Sequence, residues 1–190
     1  ASDTARMSNL AEVADTTVDG VHTIWAPCAG PLRAELRFRV GSADETYLTS
    51  GISHLVEHLA LFGIEDPAHH HNGYVDQSVA CFHTYGSEDD VIAFLDRVCT
   101  QISALPLHRL ELERRVLAAE RASRARSLPG LALALRYGAA GYGLMEMGRQ
   151  GGRLVRADDV QQWADRYFTR ANAVLLLTGP PPAGLRLPLK

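Results

Sequence analysis

The chain has 190 residues, of which 46% are hydrophobic and 22% are charged, and its formal net charge is −3. This length is typical of one globular domain with a substantial core. The small negative charge gives no electrostatic reason to expect a nucleic acid partner. No apolar run approaches the roughly 20 residues that span a bilayer, so we expect no membrane partner either.

The cysteines are few and widely spaced. Cys28, Cys81 and Cys99 form no C-x-x-C pair, and an odd, sparse set is not typical of a disulfide scaffold. We interpret Cys81 and Cys99 as core thiols. This pattern favours a reducing compartment, and we expect the protein in the cytoplasm.

The first part of the chain predicts two strands and a helix. We interpret residues 1–16 as a polar arm and residues 18–26 as a strand. Residues 32–40 alternate between apolar and charged side chains, which is typical of a half-buried strand. Residues 49–62 predict a helix, because their apolar side chains recur at helical spacing. Gly63 is expected to end it.

The middle of the chain predicts a loop, two strands and two helices. Residues 64–72 are interpreted as a loop that contains His69-His70-His71. Three successive side chains converge poorly on one ion, so we do not assign them as ligands. Strands are predicted at 74–75 and 79–85. Ser87 followed by three acids is typical of a helix N-terminus. One helix is therefore predicted from there to residue 105, and a second helix over residues 107–127.

The last part of the chain completes a mixed fold. Residues 131–144 are interpreted as helical at first, 148–152 as a loop, 157–167 as an amphipathic helix and 173–177 as a buried strand. The run from Pro180 to Pro182 predicts a rigid exit, which gives a domain at 17–180 and a tail or linker at 181–190. Because regular βαβ alternation is missing, the expected class is α+β, with a mixed, mostly antiparallel sheet packed against several helices.

The most informative motif lies on the first predicted helix. His54, Glu57 and His58 have the order H-x-x-E-H. Residues four apart lie one turn apart on the same helix face, so the two imidazoles can hold one metal ion. Glu57 can reach a water on that ion. This inverzincin pattern is the reverse of H-E-x-x-H, and it predicts a zinc-dependent hydrolase.

A zinc hydrolase needs a third protein ligand, and the long predicted helix offers candidates. Glu113 and Glu120 are seven residues apart, which is about two helical turns, so they share a face. Such a pair suits one carboxylate on a metal and another behind it. Other interpretations stay open at this point. The histidines could be ordinary surface residues, and Glu120 could be a solvated glutamate that pairs with nearby arginines.

Several stretches resemble the pitrilysin, insulin-degrading enzyme and mitochondrial processing peptidase family of zinc peptidases. Residues 41–45 and 51–58 are similar to its G-S-x-x-E … G-x-x-H-x-x-E-H run, and residues 61–63 follow as its F-x-G does. Residues 113–120 are similar to its E-x6-E helix. Residues 159–179 are similar to its closing helix, N-x-x-L strand and glycine. The resemblance covers about residues 17–180.

The resemblance implies a role for each motif residue. His54, His58 and Glu120 would bind one Zn²⁺ ion per chain. Glu57 would be the base that deprotonates a zinc-bound water, and Glu113 would orient a histidine ligand.

The substrate side departs from the family pattern. Asn72 stands where the family has an asparagine that holds the substrate backbone against an edge strand. The gap from His58 to Glu120 is shorter than the family usually shows, and the shortening falls in the 64–72 loop. The residue after Asn72 is Gly73.

The family works as two homologous halves that close like a clamshell, and this chain matches one half. The resemblance therefore implies the catalytic half of a metalloendopeptidase that hydrolyses peptides or unfolded segments. It would have a homologous partner, as a homodimer or heterodimer. The alternative from another class is a non-catalytic, peptide-binding or structural subunit, which metal content would separate from the enzyme. A metal-dependent hydrolase of a non-peptide bond is a third hypothesis.

Overall fold

The computed structural model describes residues 13–64, 70–123, 127–145 and 154–190. Within these residues, six strands form one sheet in the order β1-β2-β6-β3-β5-β4. The strands are β1 (Ala14–Val18), β2 (Val21–Trp25), β3 (Leu32–Phe38), β4 (His70–Val75), β5 (Ala80–Gly86) and β6 (Ala173–Leu177). The β2–β6 pair is parallel and the others are antiparallel. The predicted α+β class with a mostly antiparallel sheet is confirmed.

Five helices are described, namely α1 (Ile52–Leu61), α2 (Glu88–Ser103), α3 (Leu110–Ser123), α4 (Leu128–Tyr137) and α5 (Ala157–Tyr167). Helices α1 and α2 pack against the sheet, and α3 and α5 pack against α1. The alternating side chains Ala34, Leu36 and Phe38 of β3 are fully buried, as expected when every second residue of a strand faces the core. The ring of Phe38 lies 5.0 Å from the ring of Phe168, which follows α5. The site described below lies where α1 and α3 meet.

Several predicted boundaries hold, and α2 shows why. The hydroxyl of Ser87 accepts a hydrogen bond from the backbone N–H of Asp90, and the Asp90 carboxylate accepts one from the N–H of Ser87. This reciprocal capping satisfies two donors at the start of the helix. The bounds predicted for α5 and for β6 match the observed elements.

Other boundaries differ from the predictions. The helix predicted over 49–62 begins only at Ile52, because residues 47–49 form a separate 3₁₀ turn. The predicted 64–72 loop ends early, because β4 starts at His70 and pairs with β5 in a register that sets Asn72 opposite His83. Helix α4, predicted from residue 131, instead begins at Leu128. There the Ser127 hydroxyl accepts the N–H of Gly130, and Pro129 lies in the first turn, where its missing N–H is tolerated.

The segment expected to be a tail or linker packs against the domain. Leu185, Leu187 and Leu189 are buried with the core. The carboxylate of Asp19 accepts hydrogen bonds from the backbone N–H of Leu187 and from the side chain of Arg186. The alternating leucines therefore extend the hydrophobic core. Of the predicted arm at 1–16, residues 1–12 lie outside the described residues, whereas residues 14–16 belong to β1 and pair with β2 instead of forming a polar arm. The predicted loop at 148–152 lies outside the described residues.

None of the helices in the described residues combines the length and the apolar composition that crossing a membrane requires. The three cysteines are free thiols, with Cys28 exposed and the other two buried. Burial raises the pKa of the Cys99 thiol far above its ordinary value, so it stays protonated. This agrees with its interpretation as a core side chain.

Candidate metal centre

The first helix of the site, α1, is held at its N-terminus by a buried carboxylate. Glu45 accepts hydrogen bonds from the backbone N–H groups of Gly51, at 2.6 Å, and Ser53, at 3.0 Å. These are donors that a helix cannot satisfy internally, and a negative charge at this end is favourable. Gly51 has φ 94°, in the left-handed region that favours glycine. The chain can therefore turn at Gly51 into the helix that carries His54 in its first turn.

The H-x-x-E-H residues converge on one side of α1. Ligand-capable atoms of His54, Glu57 and His58 all lie within 4.8 Å of one another. Nε2 of His54 is 3.4 Å from Oε2 of Glu57, and Nε2 of His58 is 3.8 Å from the same oxygen. The helical spacing alone brings these side chains together, as the sequence predicts.

Helix α3 brings Glu120 to the same point from the other side. Its Oε1 is 3.4 Å from Nε2 of His58, and its Oε2 is 3.8 Å from Nε2 of His54. Ligands held 2.0–2.1 Å from a tetrahedral zinc ion are roughly 3.3 Å apart. The side chain of Glu120 is 37% exposed, so the far side of this group of donors is open to solvent. The arrangement therefore suits a small tetrahedral ion with one accessible position.

Glu113 lies behind His58, one step further from the centre. Its Oε2 is 3.3 Å from Nδ1 of His58, and its Oε1 is 3.4 Å from a guanidinium nitrogen of Arg109. When Nδ1 carries the proton toward Glu113, the lone pair of Nε2 faces Glu57 and Glu120. A carboxylate behind a histidine is the usual way to fix the orientation of a metal-binding imidazole.

The donor set is chemically suited to zinc. Two neutral imidazole nitrogens and a carboxylate match the ligands of catalytic zinc sites, which keep one position for water. Glu57 is buried, and a buried carboxylate requires a compensating charge close by. A divalent cation between the imidazoles and Glu120 would supply that charge. His54, His58 and Glu120 are the residues that would hold it.

Strand β4 forms the wall beside Glu57. A side chain at Gly73 would place its Cβ 2.9 Å from Cγ and 3.0 Å from Cδ of Glu57. The glycine therefore gives the Glu57 carboxylate the space it occupies. Asn72 is exposed on the same edge strand, where its side-chain oxygen accepts the N–H of Gly73 at 2.8 Å. Of the histidine run, His71 packs its ring against Phe94, and His69 lies outside the described residues.

The structure brings together five of the six predicted site residues, namely His54, Glu57, His58, Glu113 and Glu120. Asn72, the sixth, lines a cavity beside Glu57, His58 and Glu120. Sequence reasoning missed Glu45, Gly73 and Arg109. Glu45 belongs to the quoted G-S-x-x-E run, so an acid shortly before a helix start was an available signal. The role of Gly73 depends on a contact between two elements and has no local signal.

A comparison with models of protein families gave no match, and a comparison with curated proteins gave none either. Solved structures do match. A protease from Helicobacter pylori is 20% identical with a TM-score of 0.69, over 93% of this chain and 51% of that one. Pitrilysin is 18% identical with a TM-score of 0.72, and the match covers 93% of this chain and 22% of pitrilysin. A chain of complex III2 from Candida albicans is 15% identical with a TM-score of 0.67, and the match covers 87% of this chain and 42% of that one.

These matches concern the fold. The fold resemblance to pitrilysin that the motifs predict is confirmed. The chain spans about half of the Helicobacter pylori protease and about a fifth of pitrilysin. It is thus similar to one unit of larger proteins.

Proposed function

We propose that the chain is the catalytic half of a zinc-dependent endopeptidase. The observation that carries this proposal is the convergence of His54, His58 and Glu120 from two helices, with Glu57 beside them. The similarity of the fold to two proteases supports peptide bonds as the substrate class. The proposal includes a reducing compartment such as the cytoplasm, which the three free thiols support.

When bound, zinc supplies a Lewis acid that polarises the peptide carbonyl and makes water more acidic. The protein contributes the groups around it. Glu57, whose carboxylate lies 3.4 Å from Nε2 of His54, accepts the proton of the attacking water and passes it to the leaving amine. Glu113 keeps the His58 ring oriented, and the edge of β4 at Asn72 pairs with the backbone of an extended peptide.

A second, homologous half is part of the proposal. The chain spans 51% of the Helicobacter pylori protease, which supports a unit that works beside another of similar size. The candidate centre opens to solvent on the side of Glu120, and a second half closing over this side would exclude water and enclose the substrate. The partner would be a homologous chain or a second copy of this one.

A non-catalytic subunit is the second candidate function. The specific observation in its favour is that a chain of complex III2 has the same fold, so the fold by itself does not determine the activity. The grouping of all four proposed residues around one point favours the enzyme, because a structural subunit has no chemical need for an acid beside two metal-ligating histidines.

The test is cleavage of a peptide mixture by the zinc-loaded chain, alone and with any partner that co-purifies. We expect Glu57→Gln to retain zinc and to lose cleavage by at least about a hundredfold, because general base catalysis contributes 10²–10⁴-fold. Glu111→Gln on the exposed face of α3 is the matched control and should cleave like the wild type. Cleavage at the wild-type rate by Glu57→Gln would contradict the mechanism.

A further inference from the structure

A cavity of about 430 Å³ opens beside the candidate metal centre. Its floor is the group of Glu57, His58 and Glu120, and its walls are contributed by the end of α1, by β4 and by α3. Apolar side chains line much of the wall, namely those of Leu61, Phe62 and Val116. A residue of a peptide bound at the centre would enter this cavity, so its lining determines which side chains are accepted.

Arg109 is the arginine or lysine that lines this cavity among the described residues. Its guanidinium carbon lies 4.3 Å from the centre of the Phe62 ring, a stacking distance that favours the charged group. The side chain is only 31% exposed. Nε of Arg109 is buried. Stacking on one face of the guanidinium leaves the N–H groups of its two terminal nitrogens in the plane of the group, where they can bind an acceptor.

The hydrogen-bonding capacity of Arg109 is mostly unused. Among the described residues, its hydrogen-bond and ion-pair contacts are limited to Glu113, at 3.4 Å. Charge-assisted hydrogen bonds between arginine and carboxylate are normally 2.7–2.9 Å long, so this contact is weak. A guanidinium has five N–H donors. A half-buried arginine with one long contact is therefore able to take a second carboxylate.

We propose that Arg109 selects peptides that carry a carboxylate near the scissile bond. The proposal rests on the proposed function, since it assigns the cavity to a peptide substrate. The ligand is the carboxylate of an Asp or Glu side chain or of a free C-terminus. It binds the N–H groups of the two terminal nitrogens while its aliphatic part packs on Leu61 and Val116. The planar guanidinium matches a carboxylate in a bidentate way, which a lysine does not.

A purely supporting role predicts a different result. If Arg109 acts only through Glu113, which orients His58, removing the guanidinium weakens zinc binding and affects all peptides alike. Selection by charge instead affects acidic peptides and leaves neutral ones unchanged. The ratio between two matched peptides therefore separates the two roles.

The experiment measures peptide binding by fluorescence anisotropy, with zinc-loaded full-length chain that carries Glu57→Gln so that peptides stay intact. In the first set of peptide pairs, the two members differ only by Glu or Gln at one position, and this position changes from pair to pair along the peptide. All of these peptides have an amidated C-terminus. A second pair has neutral side chains and a free or amidated C-terminus. Arg109→Met keeps the aliphatic stem and removes the charge. Arg115→Met is the matched control, because Arg115 is an exposed arginine on α3, six residues after Arg109.

We expect the parent and Arg115→Met to prefer one carboxylate peptide by about tenfold, and Arg109→Met to lose that preference. The pair that shows it identifies the carboxylate as a side chain or a terminus. No preference in the parent, no peptide binding, or an equal loss for both members of a pair in Arg109→Met would overturn the inference. If the wild type cleaves peptides but shows no preference for a carboxylate, the carboxylate site is wrong and the proposed peptidase function stands. If the chain prefers carboxylate peptides but the wild type cleaves none of them, the peptidase function is wrong and the carboxylate site stands.

Discussion

Nδ1 of His58 lies 3.3 Å from Oε2 of Glu113, so the other nitrogen of the ring faces Glu57 and Glu120. The two residues are 55 positions apart in the chain, and their contact joins α1 to α3. This contact fixes which nitrogen of the imidazole is available for a metal. It also ties the two helices together at the point where the proposed zinc ligands meet.

Glu113→Gln should therefore weaken zinc binding by roughly 10–100-fold, the range seen for partners behind metal ligands. The amide keeps the size of the side chain and loses the negative charge that supports the imidazole. The measurement is a competition titration of zinc against a chromogenic chelator. Glu111→Gln, whose side chain is 79% exposed and pairs with Arg114, is the control on the same helix. Equal zinc affinities for the two variants would contradict the role of Glu113.

Glu45→Gln should destabilise the fold through the start of α1. The Glu45 carboxylate accepts two backbone N–H groups in a buried setting, and the amide would turn one acceptor into a donor. We expect a loss of about 1–3 kcal/mol in the free energy of unfolding. Chemical denaturation measures it, with Glu35→Gln on the half-exposed Arg37 pair as the control. A change within about 0.5 kcal/mol at Glu45 would show that the cap is not needed.

Gly73→Ala should impair cleavage while leaving zinc bound. The added methyl group would lie against Cγ and Cδ of Glu57, so the carboxylate has to move away from its position. The three atoms nearest to this methyl group all belong to Glu57 and none to a proposed zinc ligand. We expect cleavage to fall by at least about tenfold, since small displacements of a catalytic group are costly. Zinc content is the internal control, and wild-type cleavage would argue against a positioned Glu57.

Asp19 should make the stability of the C-terminal segment depend on pH. The hydrogen bond from the N–H of Leu187, followed by that from Arg186, lowers the pKa of the Asp19 carboxyl. The folded state therefore binds fewer protons than the unfolded chain in acid. The stabilisation is present above the ordinary pKa and is lost as the pH falls through the lowered one.

Asp19→Asn tests this dependence. Denaturation at neutral pH should show the variant to be less stable than the wild type. The difference should shrink in acid, as the pH falls through the lowered pKa of Asp19 and the native carboxyl takes up its proton. Asp15→Asn on β1 serves as a control, since its contact is with His22 at 3.4 Å. A difference that stays constant between the two pH values would contradict the contribution of the Asp19 charge.

Local signals predicted the parts of the fold that depend on neighbours in sequence. The apolar spacing of α5 and the apolar run of β6 gave their observed bounds, and Ser87 marked the start of α2 through its own hydroxyl. The H-x-x-E-H spacing placed His54 and His58 on one helix face for the same reason.

Contacts between segments that are distant in sequence could not be predicted from local signals. The N–H of Leu187 is hydrogen-bonded to Asp19, 168 positions earlier. The three prolines before this segment predicted a linker, whereas the segment packs against the domain. Likewise, helical spacing made Glu120 a candidate, but only the resemblance singled it out as the third ligand, because its distance to His58 is set by how α3 packs on α1. Arg109 gave no signal at all, since its stacking on Phe62 exists only in the folded protein.

The central claim is that His54, His58 and Glu120 together bind one zinc ion. The most direct test is the metal content of the full chain after equilibration with zinc at neutral pH and removal of the excess, measured by elemental analysis for the wild type and for His58→Ala. We expect one zinc per wild-type chain and almost none in a folded His58→Ala, with circular dichroism to confirm folding. A wild-type chain without zinc, or a folded His58→Ala that retains it, would contradict the claim.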